Sequence, residues 1–150
     1  MSLEEKINQN IKKAMLAREK DKLEALRAVK TAILIAKTEK GATGEVTEEA
    51  EIKILQRLVK QRKESATIFE EQNRPELAEK EWFEAKIIET YLPEQMSDDE
   101  LTRQIQKIID EVGAKNMSDL GKVMGKASKE LAGKAEGKAI ADKVKALLSL

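Results

Sequence analysis

The residues best suited to chemistry in this sequence are glycine–lysine pairs near its C-terminal end. Four pairs fall within eighteen residues, spaced four, eight and four residues apart: Gly121-Lys122, Gly125-Lys126, Gly133-Lys134 and Gly137-Lys138. A glycine near a helix start exposes backbone N–H groups, and the adjoining lysines add positive charge, a combination that suits a phosphate backbone. The predicted RNA-binding residues are Gly121, Gly125, Lys122, Lys126, Lys129, Lys134 and Lys138.

The same glycines have a structural explanation, and the sequence favours neither explanation over the other. Glycine inside a helix costs about 1 kcal/mol relative to alanine, so several of them need a reason. Gly121 and Gly125 lie on one helix face and would let another helix approach closely, while Gly133 would end a helix. No aromatic residue accompanies the lysines, so a contact with RNA would be made to phosphates and not to stacked bases.

A second basic cluster lies in the middle of a predicted helix and consists of Lys60, Arg62 and Lys63. A run of charges is usually a solvated helix face, which makes this cluster the weaker RNA-binding candidate. Arg62 falls close to the apolar stripe of the helix. We expect it to be partly buried against a carboxylate of the following helix, Glu81 or Glu84.

Composition and motif searches disfavour a catalytic centre. The chain has no cysteine and no histidine, so thiolate sites are excluded and the commonest general base and metal ligand are missing. Most of its 28 acidic residues fall on predicted solvent-facing sides of helices, and there is no P-loop, G-x-G-x-x-G or Ser-x-x-Lys motif. We therefore expect no catalytic residue, no bound metal and no cofactor.

The net charge of zero argues against a strongly basic, free-standing nucleic-acid binder, but the charge is unevenly distributed. Residues 1–40 carry a net +4, residues 41–93 a net −4, and residues 113–150 a net +4, which leaves room for a local basic surface. The first six residues include two glutamates and no apolar stretch, and the longest uncharged apolar run, residues 31–36, is too short to cross a bilayer. We expect a cytoplasmic protein without membrane contact.

Seven helices are predicted to position these residues. Helix-forming residues dominate and aromatic residues make up 3% of the chain, which favours an all-α fold. Ser2 with Glu5 and Ser97 with Glu100 form capping-box patterns at the first and fifth helices. The sixth helix is predicted over residues 118–132 and the seventh over residues 135–148. Two glycines are expected to end the second helix and form a turn, namely Gly41 and Gly44.

The fourth helix is predicted to be the central element of the N-terminal core, because Trp82, Phe83 and Ile88 would line its apolar side. Pro93 ends this helix, since the residue before a proline is disfavoured in helical geometry. We place a domain boundary at this proline. The predicted architecture is a four-helix N-terminal bundle, residues 1–92, followed by a three-helix C-terminal tail domain, residues 93–150.

Four segments resemble the YqeY-like family: residues 60–65 (KQRKES), 74–78 (RPELA), 91–97 (YLPEQMS) and 117–124 (MSDLGKVM). The resemblance covers essentially the whole chain in the right order, including the closing residues 144–148 (VKALL). This family is similar to the C-terminal helical and tail region of the GatB subunit of the tRNA-dependent amidotransferase, which converts Glu-tRNA to Gln-tRNA. Similar modules are fused to some glutaminyl-tRNA synthetases.

The resemblance implies a non-catalytic accessory protein that binds tRNA, because in the amidotransferase this region grips the tRNA while the chemistry occurs elsewhere. The resemblance also implies that such a chain can be classified as a carbon–nitrogen ligase with glutamine as amide donor. No residue pattern in this sequence supports that activity. Relatives often carry an arginine and an aspartate near the last turn, where this chain has Lys134 and Glu136, so the bidentate grip of a guanidinium is lost. The alternative is a protein-interaction module that docks on an aminoacyl-tRNA synthetase or an amidotransferase, which the zero net charge favours.

Overall fold

The chain is largely helical over residues 1–39 and 44–150, the part that the computed structural model describes. No β-strand occurs in those residues, which confirms the all-α prediction. The predicted turn residue Gly41 lies outside them. The seven α-helices of the described part are α1 (Leu3–Ala17), α2 (Lys20–Thr38), α3 (Glu48–Glu71), α4 (Pro75–Glu89), α5 (Asp98–Val112), α6 (Leu120–Glu130) and α7 (Gly137–Leu148).

The helices fall into two compact units, Met1–Leu92 and Pro93–Leu150. The N-terminal unit contains α1 to α4, and the C-terminal unit contains α5 to α7 together with a short 3-10 helix, Met117–Asp119. Each unit has its own cluster of buried apolar residues. That the two units are separate domains, a four-helix bundle and a tail domain, stays a prediction.

The capping residues predicted from the sequence begin the helices where expected. At α1 the Ser2 hydroxyl accepts from the Glu5 backbone N–H at 3.1 Å, and the Ser2 N–H donates to the Glu5 carboxylate at 3.2 Å. At α5 the Ser97 hydroxyl accepts from the backbone N–H of Glu100 at 3.2 Å. These bonds satisfy N–H groups that lack a partner inside the helix, which fixes the starts of both helices.

The pairing of α3 with α4 organises the N-terminal unit. The helices run antiparallel, because side-chain contacts join the end of α3 to the middle of α4 and the middle of α3 to the second half of α4. Asn73, with a φ of 57°, helps to reverse the chain between them, a conformation that asparagine tolerates better than most residues. Both helices bury small side chains, among them Ala66 of α3 and Ala78 and Ala85 of α4.

The prediction that Trp82 and Phe83 fill the N-terminal core is wrong. Trp82 is 40% exposed and Phe83 is 42% exposed, whereas Ile88 is fully buried as expected. The buried positions of α4 are taken by Ala78, Ala85 and Ile88, while the Trp82 indole N–H reaches the Glu70 carboxylate at the end of α3 and its ring stays partly exposed.

The C-terminal unit is a three-helix arrangement around a core whose fully buried residues include Ile105, Ile108, Val123 and Val144. Helix α6 is shorter than predicted, because residues 117–119 form the 3-10 helix instead of its first turn. Gly133 adopts a φ of 77° in the turn after α6, which fits its predicted role at a helix end.

The loop between α6 and α7 is held by the segment that precedes α5. The backbone N–H of Met96 donates to the Lys134 carbonyl at 2.9 Å, and the Gln95 side-chain amide donates to the Gly133 carbonyl at 2.6 Å. The neighbouring Leu131 is buried in the core. The backbone that carries Lys134 is therefore fixed on both sides, while the lysine side chain stays exposed.

Candidate nucleic-acid interface

Helix α6 presents three of the predicted lysines on one side. Lys122, Lys126 and Lys129 are spaced four and three residues apart, which places them along one face. Val123 and Ala127 are completely buried in the core of the C-terminal unit, about a third of a turn around the helix from the lysines. Lys122 and Lys129 are exposed, and Lys126 is half-buried.

Gly121 and Gly125 lie on the solvent side of the same helix. Both are exposed, and a Cβ atom added at either position would meet no heavy atom of the chain within 4 Å. No helix of the C-terminal unit approaches either glycine closely, so packing within this unit does not explain them. Both glycines lower the stability of α6 relative to alanine, and their surroundings are open.

Lys126 is the least available of the predicted contacts. Its ammonium lies 2.5 Å from the Glu111 carboxylate of α5 and 3.8 Å from that of Glu130. The hydrogen bond from Lys126 holds the pKa of Glu111 below its usual value, and the same bond raises the pKa of Lys126. A phosphate at this position would have to compete with Glu111.

The other four lysines of the set are exposed, and none forms an ion pair within the described part of the chain: Lys122, Lys129, Lys134 and Lys138. Three of them share one end of the unit, since Lys129 is in the last turn of α6, Lys134 is in the following loop, and Lys138 is in the first turn of α7. Lys122, in the first turn of α6, is about 10 Å from Lys129 along the helix axis. We refer to these four residues, together with Lys126, as the lysine surface.

The starts of α6 and α7 differ from those of the other helices in where their acidic residue lies. Neither carries an acidic residue in its first turn, whereas every other α-helix of the described part carries at least one. At α7 the Glu136 side chain makes no capping hydrogen bond, and Gly137 leaves open space beside the first turn. The N-cap residues Asp119 and Glu136 nevertheless place one carboxylate at the positive end of each of these two helices.

Asp119, just before α6, is bound by backbone groups of its own loop. The backbone N–H of Lys115 donates to the Asp119 carboxylate at 2.9 Å and holds the pKa of that carboxyl below its usual value. The Asn116 side chain accepts from the backbone N–H of Ser118 at 2.9 Å. These contacts explain the MSDLGK segment structurally: they fix the turn that precedes Gly121 and Lys122.

The second basic cluster is mostly engaged within the N-terminal unit. The Arg62 side chain is 16% exposed, and its guanidinium lies 3.4 Å from the Glu84 carboxylate. Glu84 is one of the two partners that the sequence predicted for Arg62. Burial raises the pKa of Glu84, although the Arg62 charge acts in the opposite direction. Lys63 pairs with Glu89 at 2.7 Å. Arg62 is thus held in the packing of the N-terminal unit, and Lys60 is the member of the cluster that stays exposed; an RNA-binding role of the cluster stays a prediction.

Neither a metal-binding cluster nor a membrane span is found in the described residues. No group of three or more acidic side chains lies close enough together there to hold a metal ion. None of the helices in that part of the chain combines the length and the apolar character needed to span a membrane.

Comparison with known proteins gives two matches. The family model described as Yqey-like protein matches residues 4–148. The protein named Altered inheritance of mitochondria protein 41, mitochondrial, from Clavispora lusitaniae is 33% identical over 107 residues, which is 70% of this chain. The matched region spans 61% of the length of that relative.

Proposed function

The chain belongs to the YqeY-like family, and from this premise we propose that it is a non-catalytic accessory protein that binds tRNA through the lysine surface. The observation that carries the proposal is the set of four exposed, unpaired lysines beside two open glycines in the described part of the C-terminal unit. The similarity of the family to the tRNA-gripping tail of an amidotransferase supports the same role.

The chemistry of the surface favours recognition of the RNA backbone. Lysine ammonium groups bind phosphates as point charges, and the C-terminal unit contains no aromatic side chain on which a base could stack. Binding of this kind depends on the shape and charge of the RNA and tolerates changes in sequence. We therefore propose that the protein binds the body of the tRNA and does not read its bases.

Charge reversal tests the proposal. Lys129→Glu combined with Lys138→Glu changes two unpaired lysines at the same end of the unit and should weaken binding of fluorescently labelled total tRNA by about 100-fold at low salt. The matched control is Lys12→Glu with Lys13→Glu, which makes the same charge change on exposed positions of α1. If both double variants bind equally well, the lysine surface is not the site.

The proposal also covers the ligase activity that the family resemblance implies. We propose that the chain carries no amidotransferase chemistry of its own, because the sequence offers neither a histidine nor a cysteine to activate a nucleophile. A glutaminase assay on purified protein tests this directly, and turnover of glutamine would overturn it. The cytoplasmic location stays a prediction, since the name of the matched relative places that protein in mitochondria.

A further inference from the structure

The segment that precedes α5 is hydrogen-bonded to the loop that carries Lys134. The Gln95 side-chain amide donates to two backbone carbonyls, that of Pro93 at 2.8 Å and that of Gly133 at 2.6 Å. One residue further on, the backbone N–H of Met96 donates to the Lys134 carbonyl at 2.9 Å. We refer to these three hydrogen bonds as the Gln95 brace.

The loop itself is a tight turn that exposes Lys134. The backbone N–H of Lys134 donates to the Leu131 carbonyl at 3.0 Å, and Gly133 has the positive φ, 77°, that glycine adopts readily at the third position of a turn. Leu131 and Gly133 are buried, and Ala135 packs against the core of the C-terminal unit. The backbone of Lys134 is therefore anchored on both sides, while its side chain faces solvent.

Glutamine is well suited to hold this loop. Its side-chain amide has two N–H donors, and in Gln95 both meet carbonyl oxygens. The bond to Gly133 joins segments 38 residues apart in the sequence, so it ties the loop to a distant part of the unit. A side chain of similar length without a donor would leave the Gly133 carbonyl without this partner.

The loop lies between two other members of the lysine surface, Lys129 at the end of α6 and Lys138 in the first turn of α7. A lysine on a fixed backbone loses less conformational freedom on binding a phosphate than a lysine on a mobile loop does. We propose that Gln95 is a positioning residue for RNA binding: it contacts no phosphate and holds Lys134 ready to bind one. This inference rests on the proposed tRNA-binding function and adds to it an uncharged residue outside the lysine surface.

Hydrogen exchange measured by NMR on the full chain tests the brace without RNA. Gln95→Met keeps the length of the side chain and removes both donors. The backbone amides of Met96 and Lys134 should then exchange at least about fivefold faster, because the loop opens more often. The amides of Ile105 and Ile108 in the core of the unit should keep their rates, which shows that the variant is folded.

Fluorescence anisotropy with labelled total tRNA tests the link to Lys134. Gln95→Met should weaken binding about fivefold, both alone and in a Lys122→Ala background, because Lys122 lies at the other end of α6. In a Lys134→Ala background the same substitution should weaken binding by less than about twofold, since the side chain that Gln95 positions is gone. A purely structural role of Gln95 would cause the same loss in both backgrounds.

Gln106→Met is the matched control in the same unit. The Gln106 side-chain amide donates to the Asp110 carboxylate at 3.1 Å within α5, so this variant also loses a side-chain hydrogen bond but does not touch the loop. It should leave both the tRNA affinity and the exchange of the Met96 amide unchanged.

Three results would overturn the inference while tRNA binding by the unmodified chain kept the proposed function standing. They are unchanged exchange of the Met96 and Lys134 amides in Gln95→Met, equal losses of affinity in the two lysine backgrounds, and equal effects of Gln95→Met and Gln106→Met. No binding of tRNA by the unmodified chain at low salt would overturn the proposed function and this inference together.

Discussion

Replacing Gly125 by alanine should stabilise the protein while weakening its function. The added methyl group would meet no heavy atom within 4 Å, and Gly125 lies inside α6 without a positive φ. Alanine is more favourable than glycine in a helix interior by about 0.8–1 kcal/mol. In a unit the size of residues 93–150, a change of this size raises the melting temperature by about 4–8 °C if the unit unfolds cooperatively.

The same methyl group should weaken tRNA binding. If the phosphate backbone approaches α6 at Gly125, a Cβ atom keeps it away, and the loss of one such contact costs about 1 kcal/mol, or about fivefold in affinity. The assays are thermal unfolding by circular dichroism and fluorescence anisotropy with labelled total tRNA, both on the full chain.

Gly113→Ala is the matched control in the same unit. Gly113 has equally open surroundings but a φ of 68°, so alanine there should lower stability by about 1 kcal/mol and leave tRNA binding unchanged. Destabilisation by Gly125→Ala would refute the reasoning about open space. Stabilisation with unchanged tRNA affinity would refute the reasoning about close approach.

Three further predictions concern charged residues. Arg62→Ala should lower the free energy of unfolding by about 2–3 kcal/mol, because Glu84 would stay buried without its partner, and urea unfolding measures this. The pKa of Asp119 is lower in the folded protein than in the unfolded chain. Its carboxylate therefore stabilises the fold fully above the unfolded-state pKa, and this stabilisation is lost as the pH falls through the folded-state pKa. Asp119→Asn should reduce the loss of stability between neutral and acidic pH in the same assay. Glu111→Gln should release Lys126 and raise tRNA affinity about threefold, measured by anisotropy.

Each of these predictions has a clear contrary outcome. For Arg62, the control is Lys60→Ala on the same helix, which should change stability by less than about 0.5 kcal/mol because Lys60 is exposed; equal effects of the two variants would contradict the buried-pair account. An unaltered acid dependence in Asp119→Asn would show that its backbone bonds are not important for stability. Unchanged or weaker tRNA binding by Glu111→Gln would remove Lys126 from the lysine surface.

The sequence predicted the helical architecture well where local rules decide it. Ser2 and Ser97 cap their helices through their own neighbours within three residues, so their role can be deduced from spacing alone. The pairing of Arg62 with Glu84 was also predictable, because a cation close to an apolar stripe has to meet a carboxylate of the next helix.

The burial of individual residues in α4 and α6 depended on which helices approach each other, and the spacing of residues in the sequence does not determine which helices pack together. Trp82 and Phe83 were assigned to the core as large apolar residues of α4, but the smaller Ala78 and Ala85, with Ile88, take its buried positions. The glycines of α6 were ambiguous for the same reason: packing or ligand access could explain Gly125 until its surroundings were known to be open.

The salt dependence of tRNA binding tests the role of the lysine surface most directly. With four unpaired lysines each neutralising one phosphate, the logarithm of the association constant should fall with the logarithm of salt concentration with a slope of about −3 to −4. The Lys129→Glu and Lys138→Glu double variant should reduce the size of that slope by about two. No binding at low salt, or the same slope in the double variant, would contradict the claim that the lysine surface holds tRNA.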